Sequence, residues 1–432
     1  MNAPPSLADA GAALARGQPD VARELAAQLT TANPAFADAW LLRAVAAMAT
    51  GRLDEAHESF AHLRELSPDD PRGPAGLGEV ARARGDVTAA LALLHEAARR
   101  KPAWSEPSLR IGEALRASRP VDAASWFLRA ALGEPPQAGA LAGLIGCAMD
   151  LRGKHVAPRE LHLPRPLPRV TIVRSDDGGA RSVEVRDAIA RHVLAAFPDT
   201  EVLEPDAPHA SRAMWLNRAI SRAHGDVVVV LRGDVAPLDA AFLPAVLEEL
   251  MYADLVGALG THWLVAPALA WAGAPWLQGW PLRRDGARIT LTVHGLEAPV
   301  ARGVQALDGT LLALRRDVAQ RLRFDEGFAG WHLCELEASH RAYRLGLRLS
   351  VLSPCALLAD PPRPFDDAFR GEAQRFAQLH PVPPPFPHRP VPGVTAPFVD
   401  VADALSACAW LEHFCAERWR LAWELPPVPV AA

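Results

Sequence analysis

The chain has 432 residues, half of them hydrophobic, and a formal net charge of −5 with acids and bases mixed throughout. That length predicts two or three domains, and the balanced charge excludes the basic footprint of a nucleic-acid-binding protein. Five scattered cysteines (Cys147, Cys334, Cys355, Cys408, Cys415) without a CxxC pair, and an N-terminus without a basic stretch leading into a long apolar core, point to a cytoplasmic protein, or one peripheral to the inner membrane, with no zinc site and no signal peptide.

Residues 1–150 carry a repeat. Pro34, Pro68, Pro102 and Pro136 recur every 34 residues. Ala22, Ala56, Ala90 and Ala124 keep the same register, as do the small residues Ala10, Ala44, Gly78 and Gly112. Gly17, Gly51 and Gly85 form a third series that Arg119 breaks, and large apolar knobs fall at Phe60, Leu94 and Leu128. Small residues let two helices approach, the glycine ends the first helix, and the proline stops the second. This pattern resembles the tetratricopeptide repeat, about four times over, with Ala138 to Asp150 as a further capping helix. Such α-helical solenoids present a concave surface to extended partners. The array therefore either recruits a polypeptide partner or a second copy of itself, or only props up the next domain.

Residues 151–169 are basic and Pro-rich, an extended linker whose charges are expected to be solvated. From 170 to 360 strands alternate with helices. Val170–Val173, Glu201–Leu203 and the β-branched run Asp226–Leu231 read as strands; Val183–Ala196 and Ala213–Ala223 read as helices. This is the alternation of a mostly parallel α/β sheet, whose ligands bind beyond the carboxyl ends of the strands. Asp176, Asp177, Asp206 and Asp234 lie at such ends. The stretch Leu255–Leu277 has no charged side chain and is long enough to span a bilayer. Its prolines, glycines and tryptophans favour a core strand, Leu255–Leu259, leading into an aromatic loop. Trp263, Trp271, Trp276 and Trp280 there either stack on a ligand or fill a core.

The segment from Leu307 to Leu349 reads LDGTLLALRRDVAQRLRFDEGFAGWHLCELEASHRAYRLGLRL. An Asp308-Gly309 turn leads into a buried strand, Thr310–Leu314, then a charged helix, then FDEGF. A second helix follows with Trp331, His332, Glu335 and Glu337 at its start and Gly346 as its cap. Residues 361–432 form a Pro-rich tail with a short amphipathic helix and an aromatic-rich helix over Asp400–Leu425, including Trp410, Trp419 and Trp423.

The 307–349 motif resembles a bacterial branch of the family 2 nucleotide-sugar glycosyltransferases, of GT-A (Rossmann-like) fold. The corresponding stretch there reads FDE, then GFHFYDxDxCLRA, then a glycine. A second anchor is Asn217-Arg-Ala-Ile, Ala223-His-Gly225-Asp226, VVVVL, then Arg-Gly-Asp-Val, in the family's order. The resemblance implies transfer of a sugar from a nucleoside-diphosphate donor to an acceptor hydroxyl, with inversion. It implies Glu335 or Glu337 as the base, Asp308, Gly309, Trp331 and His332 on the acceptor side, and Asp206, Asn217, Arg232, Asp234 and Asp176 around the donor. Asp234 is the implied ligand for Mn²⁺ or Mg²⁺.

Two departures from the pattern matter. Gly233 stands where a partner acid is expected before Asp234, and Arg232 could neutralise phosphate charge without a metal. Glu replaces Asp at both base positions and lengthens the arm by one carbon. A second reading therefore stands beside the transferase: a repeat-based adaptor carrying a degenerate transferase fold.

Overall fold

The computed structural model describes residues 5–135, 137–175, 181–205, 211–269, 272–273, 275–381 and 393–416. The chain divides into two compact units at Asp150–Leu151. The first unit is built of antiparallel helix pairs: α1 (Leu7–Ala15) with α2 (Pro19–Ala32), α3 (Ala37–Ala49) with α4 (Leu53–Leu66), α5 (Arg72–Ala83) with α6 (Val87–Arg100), and α7 (Ser105–Leu115) with α8 (Pro120–Leu132). The capping helix α9 runs Ala138–Asp150.

The repeat register explains these boundaries. Gly17, Gly51 and Gly85 take φ of 73°, 71° and 81°, the left-handed stop that a glycine reaches without strain. At the fourth pair Arg119 cannot do this cheaply. The chain instead turns through Arg116–Ser118, and Arg119 bonds back to the Leu115 carbonyl at 2.7 Å. Pro34, Pro68 and Pro102 follow two residues after α2, α4 and α6 end; Pro136 lies outside the described residues. Ala22, Ala56, Ala90 and Ala124 are buried. A Cβ on Gly78 would stand 2.8 Å from Leu94, so the small residue admits that knob, while one on Gly112 would stand the same distance from Phe127 rather than from the expected Leu128. Surface pairs such as Arg64–Glu96 at 3.0 Å and Arg116–Asp150 at 2.8 Å link successive repeats, and each adds little.

The second unit, residues 151–416, is α/β. Strands β1 (Val170–Ser175), β2 (Glu201–Leu203) and β3 (Val227–Arg232) are parallel, with β1 in the middle. Helix α10 (Ser182–Ile189), extended by a π-helical turn Ala190–Leu194, joins β1 to β2, and α11 (Arg212–Arg222) joins β2 to β3. β4 (Ala236–Pro237) and α12 (Phe242–Glu249) follow, then β5 (Leu255–Gly257), β6 (Gly260–Thr261), β7 (Leu277–Gln278), β8 (Leu282–Asp285), β9 (Arg288–Val293), β10 (Val300–Arg302) and β11 (Ala306–Leu307). β12 (Leu311–Arg315) inserts antiparallel between β3 and β5. Helices α13 (Arg316–Leu322) and α14 (Cys334–Arg344) lead to β13 (Leu349–Leu352), which pairs parallel with β5. β14 (Leu357–Ala359), α15 (Asp367–Leu379), β15 (Val394–Phe398) and α16 (Val401–Ala416) complete it.

The main sheet has seven strands in the order β10-β13-β5-β12-β3-β1-β2; a five-stranded sheet runs β15-β9-β8-β14-β4, and a small one β11-β6-β7. β3, parallel to β1 and antiparallel to β12, is buried on both faces, as its β-branched run requires. Val228 and Val230 pack with Trp215, Leu216, Phe328 and Leu336 on the α11–α14 side. Val227, Val229 and Leu231 pack with Val185, Phe242 and Val246 on the α10–α12 side. The helices leaving β1 and entering β3 thus lie on opposite faces, and the strand order reverses between β1 and β3.

One expectation holds and two shift. The uncharged stretch 255–277 holds β5, β6 and the first residue of β7, and no described helix is long and apolar enough to cross a membrane. The linker is extended, yet Arg159 pairs with Glu248 at 2.7 Å and Glu412 at 3.4 Å, so its charges are anchored rather than merely solvated. The tail belongs to the second unit: β15 pairs with β9 across five residues, and Trp410 of α16 donates to the Lys154 carbonyl at 3.3 Å. Trp419 and Trp423 lie outside the described residues.

Phe127 is 2% exposed and fills the space left by Gly112 and Gly143. Phe127→Ala should lower the unfolding free energy by about 3–5 kcal/mol. Val121→Ala, at an exposed position, should change it by less than about 0.5 kcal/mol. Urea denaturation of both variants followed by circular dichroism checks this.

Candidate functional site

An α/β sheet binds ligands outside the carboxyl ends of its strands, where the strand order reverses. Here that place is the end of β1 and β3. β3 finishes at Arg232-Gly233-Asp234. Because β12 runs antiparallel to β3, with Leu311 opposite Leu231, it brings Asp308-Gly309-Thr310 to the same end. Arg232 N–H donates to the Thr310 carbonyl at 3.4 Å, and Asp308 N–H to the Leu259 carbonyl at 2.9 Å.

Charge accumulates there. Arg174, the penultimate residue of β1, is fully buried. It forms a close ion pair with Glu204 and donates to the Gly233 carbonyl at 3.1 Å. Burial would raise the Glu204 carboxyl, but Arg186 and Arg174 hold it below its ordinary range. Arg232 grips Asp234 with two bonds, at 2.5 and 2.8 Å. Asp234 also accepts from the Asp360 N–H at 2.8 Å. Burial opposes ionisation of Asp234, and the Arg232 fork with the Asp360 N–H overcomes it, so the carboxyl sits below its usual range. Arg283 and Arg284 enter from β8. Arg283 donates to the Asp360 carbonyl at 3.1 Å, and Arg284 reaches Glu184 at 2.5 Å and Asp360 at 3.3 Å.

Asp308 completes the recess. Thr310 donates to it twice, from N–H at 3.2 Å and from its hydroxyl at 2.5 Å. Protein walls it in, yet it keeps accessible surface, as do Arg232, Asp234 and Arg283. These four groups therefore line a recess rather than a packed core. Burial pushes the Asp308 carboxyl above its ordinary value, against the pull of Thr310, Arg283 and Arg232. His294 stands near Arg283; burial, then the Arg283 charge, lower its pKa to about 4, and its Nδ1 has no hydrogen-bond partner among the described residues.

The remaining predicted residues separate. Glu335 is 1% exposed and pairs with the equally buried Arg212 at 2.5 Å. It also accepts from the Cys334 thiol at 2.9 Å. Arg212 donates to the Gly309 carbonyl at 3.2 Å, which locks the 308–310 turn to α11 and α14. Glu337 turns away from the recess, to Arg341 at 2.8 Å and His380 at 3.1 Å. Asn217 does not reach the recess either. Its side chain clamps the Phe324 backbone and Glu326, with bonds of 2.8 to 2.9 Å. Trp331 lies under Arg363 at 5.4 Å, and His332 pairs with Asp366 at 3.2 Å. Trp280 is core, donating to the Gly295 carbonyl at 2.7 Å. Asp176, Asp177, Asp206 and Trp271 lie outside the described residues.

Asp234 does not fit a metal as it stands, because its oxygens already serve Arg232 and the Asp360 N–H. Among the described residues no three of His, Cys, Asp or Glu gather around a common point. The cations that stand near Asp234 and Asp308 among the described residues are the guanidinium groups of Arg232 and Arg283.

Several contributors were not foreseen from sequence: Arg174, Arg212, Arg283, Arg284, His294, Asp360 and Glu372. Glu372 of α15 accepts backbone N–H bonds from Gly330, His332 and Leu333 at 2.6 to 3.1 Å, fixing the start of α14. Its signal was only its place in a helix flanked by prolines. The arginines' only signal was their position at a strand end or helix start.

Two tetratricopeptide-repeat family models match the chain, one over residues 13–75 and one over 76–139. Similar solved structures include a thermophilic TPR protein of Thermus thermophilus, TTC0263, at 20% identity over 34% of this chain and 80% of that one, with a TM-score of 0.30. Another is the type III secretion translocator chaperone SycD of Yersinia enterocolitica, at 22% identity over 26% and 79%, with a TM-score of 0.25. A third is YrrB, described as a TPR protein with an unusual peptide-binding site, at 16% identity over 33% and 73%, with a TM-score of 0.28. No curated protein matches.

Glu372→Ala orphans three N–H donors and should destabilise the second unit by about 2–3 kcal/mol in chemical denaturation. His294 has its folded pKa depressed from 6.5 to about 4, so the unfolded chain binds more protons across that interval. Its contribution to stability is complete above pH 6.5 and falls as pH drops toward 4. His294→Gln should therefore lose less stability than wild type between those two pH values, as measured by denaturation at each pH.

Residues 13–139 of this chain are tetratricopeptide repeats.

Proposed function

We propose that the second unit moves a sugar from a nucleoside-diphosphate donor to an acceptor hydroxyl, while the repeat array recruits the acceptor or a protein partner. The observation that carries this reading is the convergence of Arg232, Arg283, Asp234 and Asp308 in one recess, at the place where the strand order reverses. Negative charge grows on the departing diphosphate, and fixed cations in an enclosed site stabilise it without reorganising. Arg232 and Arg283 supply those cations. A guanidinium presents a planar fork that matches phosphate oxygens. Asp234 holds the Arg232 fork in place, and Asp360 buttresses both through its backbone. In this reading the arginines do what a divalent cation does in the enzymes the sequence resembles.

One observation favours a second reading. Glu335, aligned with the expected base, is sealed against Arg212 and has almost no accessible surface. A transferase fold whose base has become a structural ion pair would serve as a platform beside a protein-binding array.

A thermal-shift screen of the full chain with UDP, GDP, dTDP and CMP, each with Mn²⁺ and with a chelator, separates these readings. The expected result is one nucleotide that stabilises equally in both conditions. At a hundred times its Kd it should add about 2.7 kcal/mol, and Arg283→Ala should weaken binding about tenfold or more. A shift that needs Mn²⁺ would return the weight to Asp234 as a ligand. No shift with any nucleotide would favour the adaptor.

A further inference from the structure

We infer that Asp308, rather than an acid at the start of α14, is the group that takes the proton from the acceptor hydroxyl; this rests on the sugar-transfer reading above. The carboxylates at the carboxyl end of β3 differ in what already occupies them. A general base must touch the acceptor and have a lone pair to offer it. Asp234 spends its oxygens on the Arg232 fork and the Asp360 N–H. Glu335 is 1% exposed, with Arg212 on one oxygen and the Cys334 thiol on the other. Glu337 points to Arg341 and His380. Asp360 is bound by Arg181 at 2.9 Å and by Arg284. Asp308 differs from all of these. Its direct partners are the N–H and hydroxyl of Thr310, and among the described residues no arginine makes an ion pair with it. It keeps accessible surface in the recess that holds Arg232 and Arg283.

The surroundings suit the task. Arg232 of β3, Arg283 of β8, Cys355 and Thr310 face Asp308, and Glu335 of α14 packs against the adjoining Gly309, 3.2 Å from where its Cβ would be. Burial raises the proton affinity of Asp308, which brings a base closer to the range where it accepts a proton efficiently. In the step itself the acceptor oxygen forms a bond to the anomeric carbon. The bond from that carbon to the diphosphate oxygen breaks, and its electron pair leaves with the nucleoside diphosphate. The acceptor proton passes to an Asp308 carboxylate oxygen. Arg212 and Glu335 are then positioning residues: they hold the Gly309 carbonyl and so set the direction of the Asp308 side chain.

The test uses the full chain, the nucleoside diphosphate that binds in the thermal-shift screen and its UDP-, GDP- or dTDP-linked sugar, with water as acceptor and nucleotide release as the readout. Asp308→Asn should bind the nucleotide within about twofold of wild type and lose turnover by about a hundredfold or more. The wild-type rate should fall at acid pH, with a limb above the ordinary carboxylate range that is absent in Asp308→Asn. Thr310→Val removes a hydrogen bond that favours the ionised form, so it should move that limb to higher pH; this holds even if Asp308→Asn folds poorly. Wild-type turnover in Asp308→Asn, an acid limb that stays put in both variants, or nucleotide affinity falling in step with turnover would each overturn the assignment. If no nucleotide binds wild type, the transfer reading fails, and the assignment fails with it.

Discussion

A guanidinium leaves water only where an acid and carbonyl oxygens meet it, because burial of an uncompensated charge is prohibitive. That demand organises the carboxyl end of the central sheet. Arg174, Arg212 and Arg232 each bring an acid to a fixed place: Glu204, Glu335 and Asp234. They also meet backbone carbonyls at Gly233, Gly309 and Asp360. Through these bonds β1, β2, β3, the turn before β12, and the starts of α11 and α14 are tied into one framework. Hydrophobic packing on the two faces of β3 sets the sheet. The buried ion pairs set the register of the loops above it.

The same framework divides the acids into two kinds. Those that satisfy a guanidinium are fixed and saturated. Asp308 is held by a neutral residue instead, and so retains capacity for a ligand. Proximity to a strand end did not distinguish these cases. The charge of the groups already bound to each acid did.

Much of the architecture was legible in the sequence because it rests on spacing. The 34-residue register located every helix pair of the array, and even its one irregularity, Arg119, corresponds to a different turn. The run at 226–231 declared a strand buried on both sides, and β2 fell where expected. The second sheet was less visible. β9 alternates between buried and half-exposed residues, and its partner β15 lies about a hundred residues away, beyond a Pro-rich segment. The docking of α15 was hidden for another reason. Phe369, Ala373 and Phe376 give the helix an apolar face that the sequence shows, but where that face docks is fixed by polar contacts, Glu372 to the 330–333 backbone and Arg375 to Asp325 at 2.7 Å, to which hydrophobic periodicity is blind. Arg174, Arg212 and Arg283 were illegible because a buried arginine and a surface one are spelled alike.

The change from Asp to Glu at position 335, measured against the motif it resembles, acquires a physical meaning in this setting. A carboxylate one carbon further out meets Arg212 at 2.5 Å across the space left open by Gly309. A side chain at 309 would press on that carboxylate, and a shorter acid at 335 would leave the Arg212 charge without its close partner in a region that water does not reach. Glu335, Gly309 and Arg212 are thus one unit, and the ion pair requires the longer arm. Whatever chemistry the recess performs must then be done by groups still open to it, and the turn that this unit holds rigid is the one that presents Asp308.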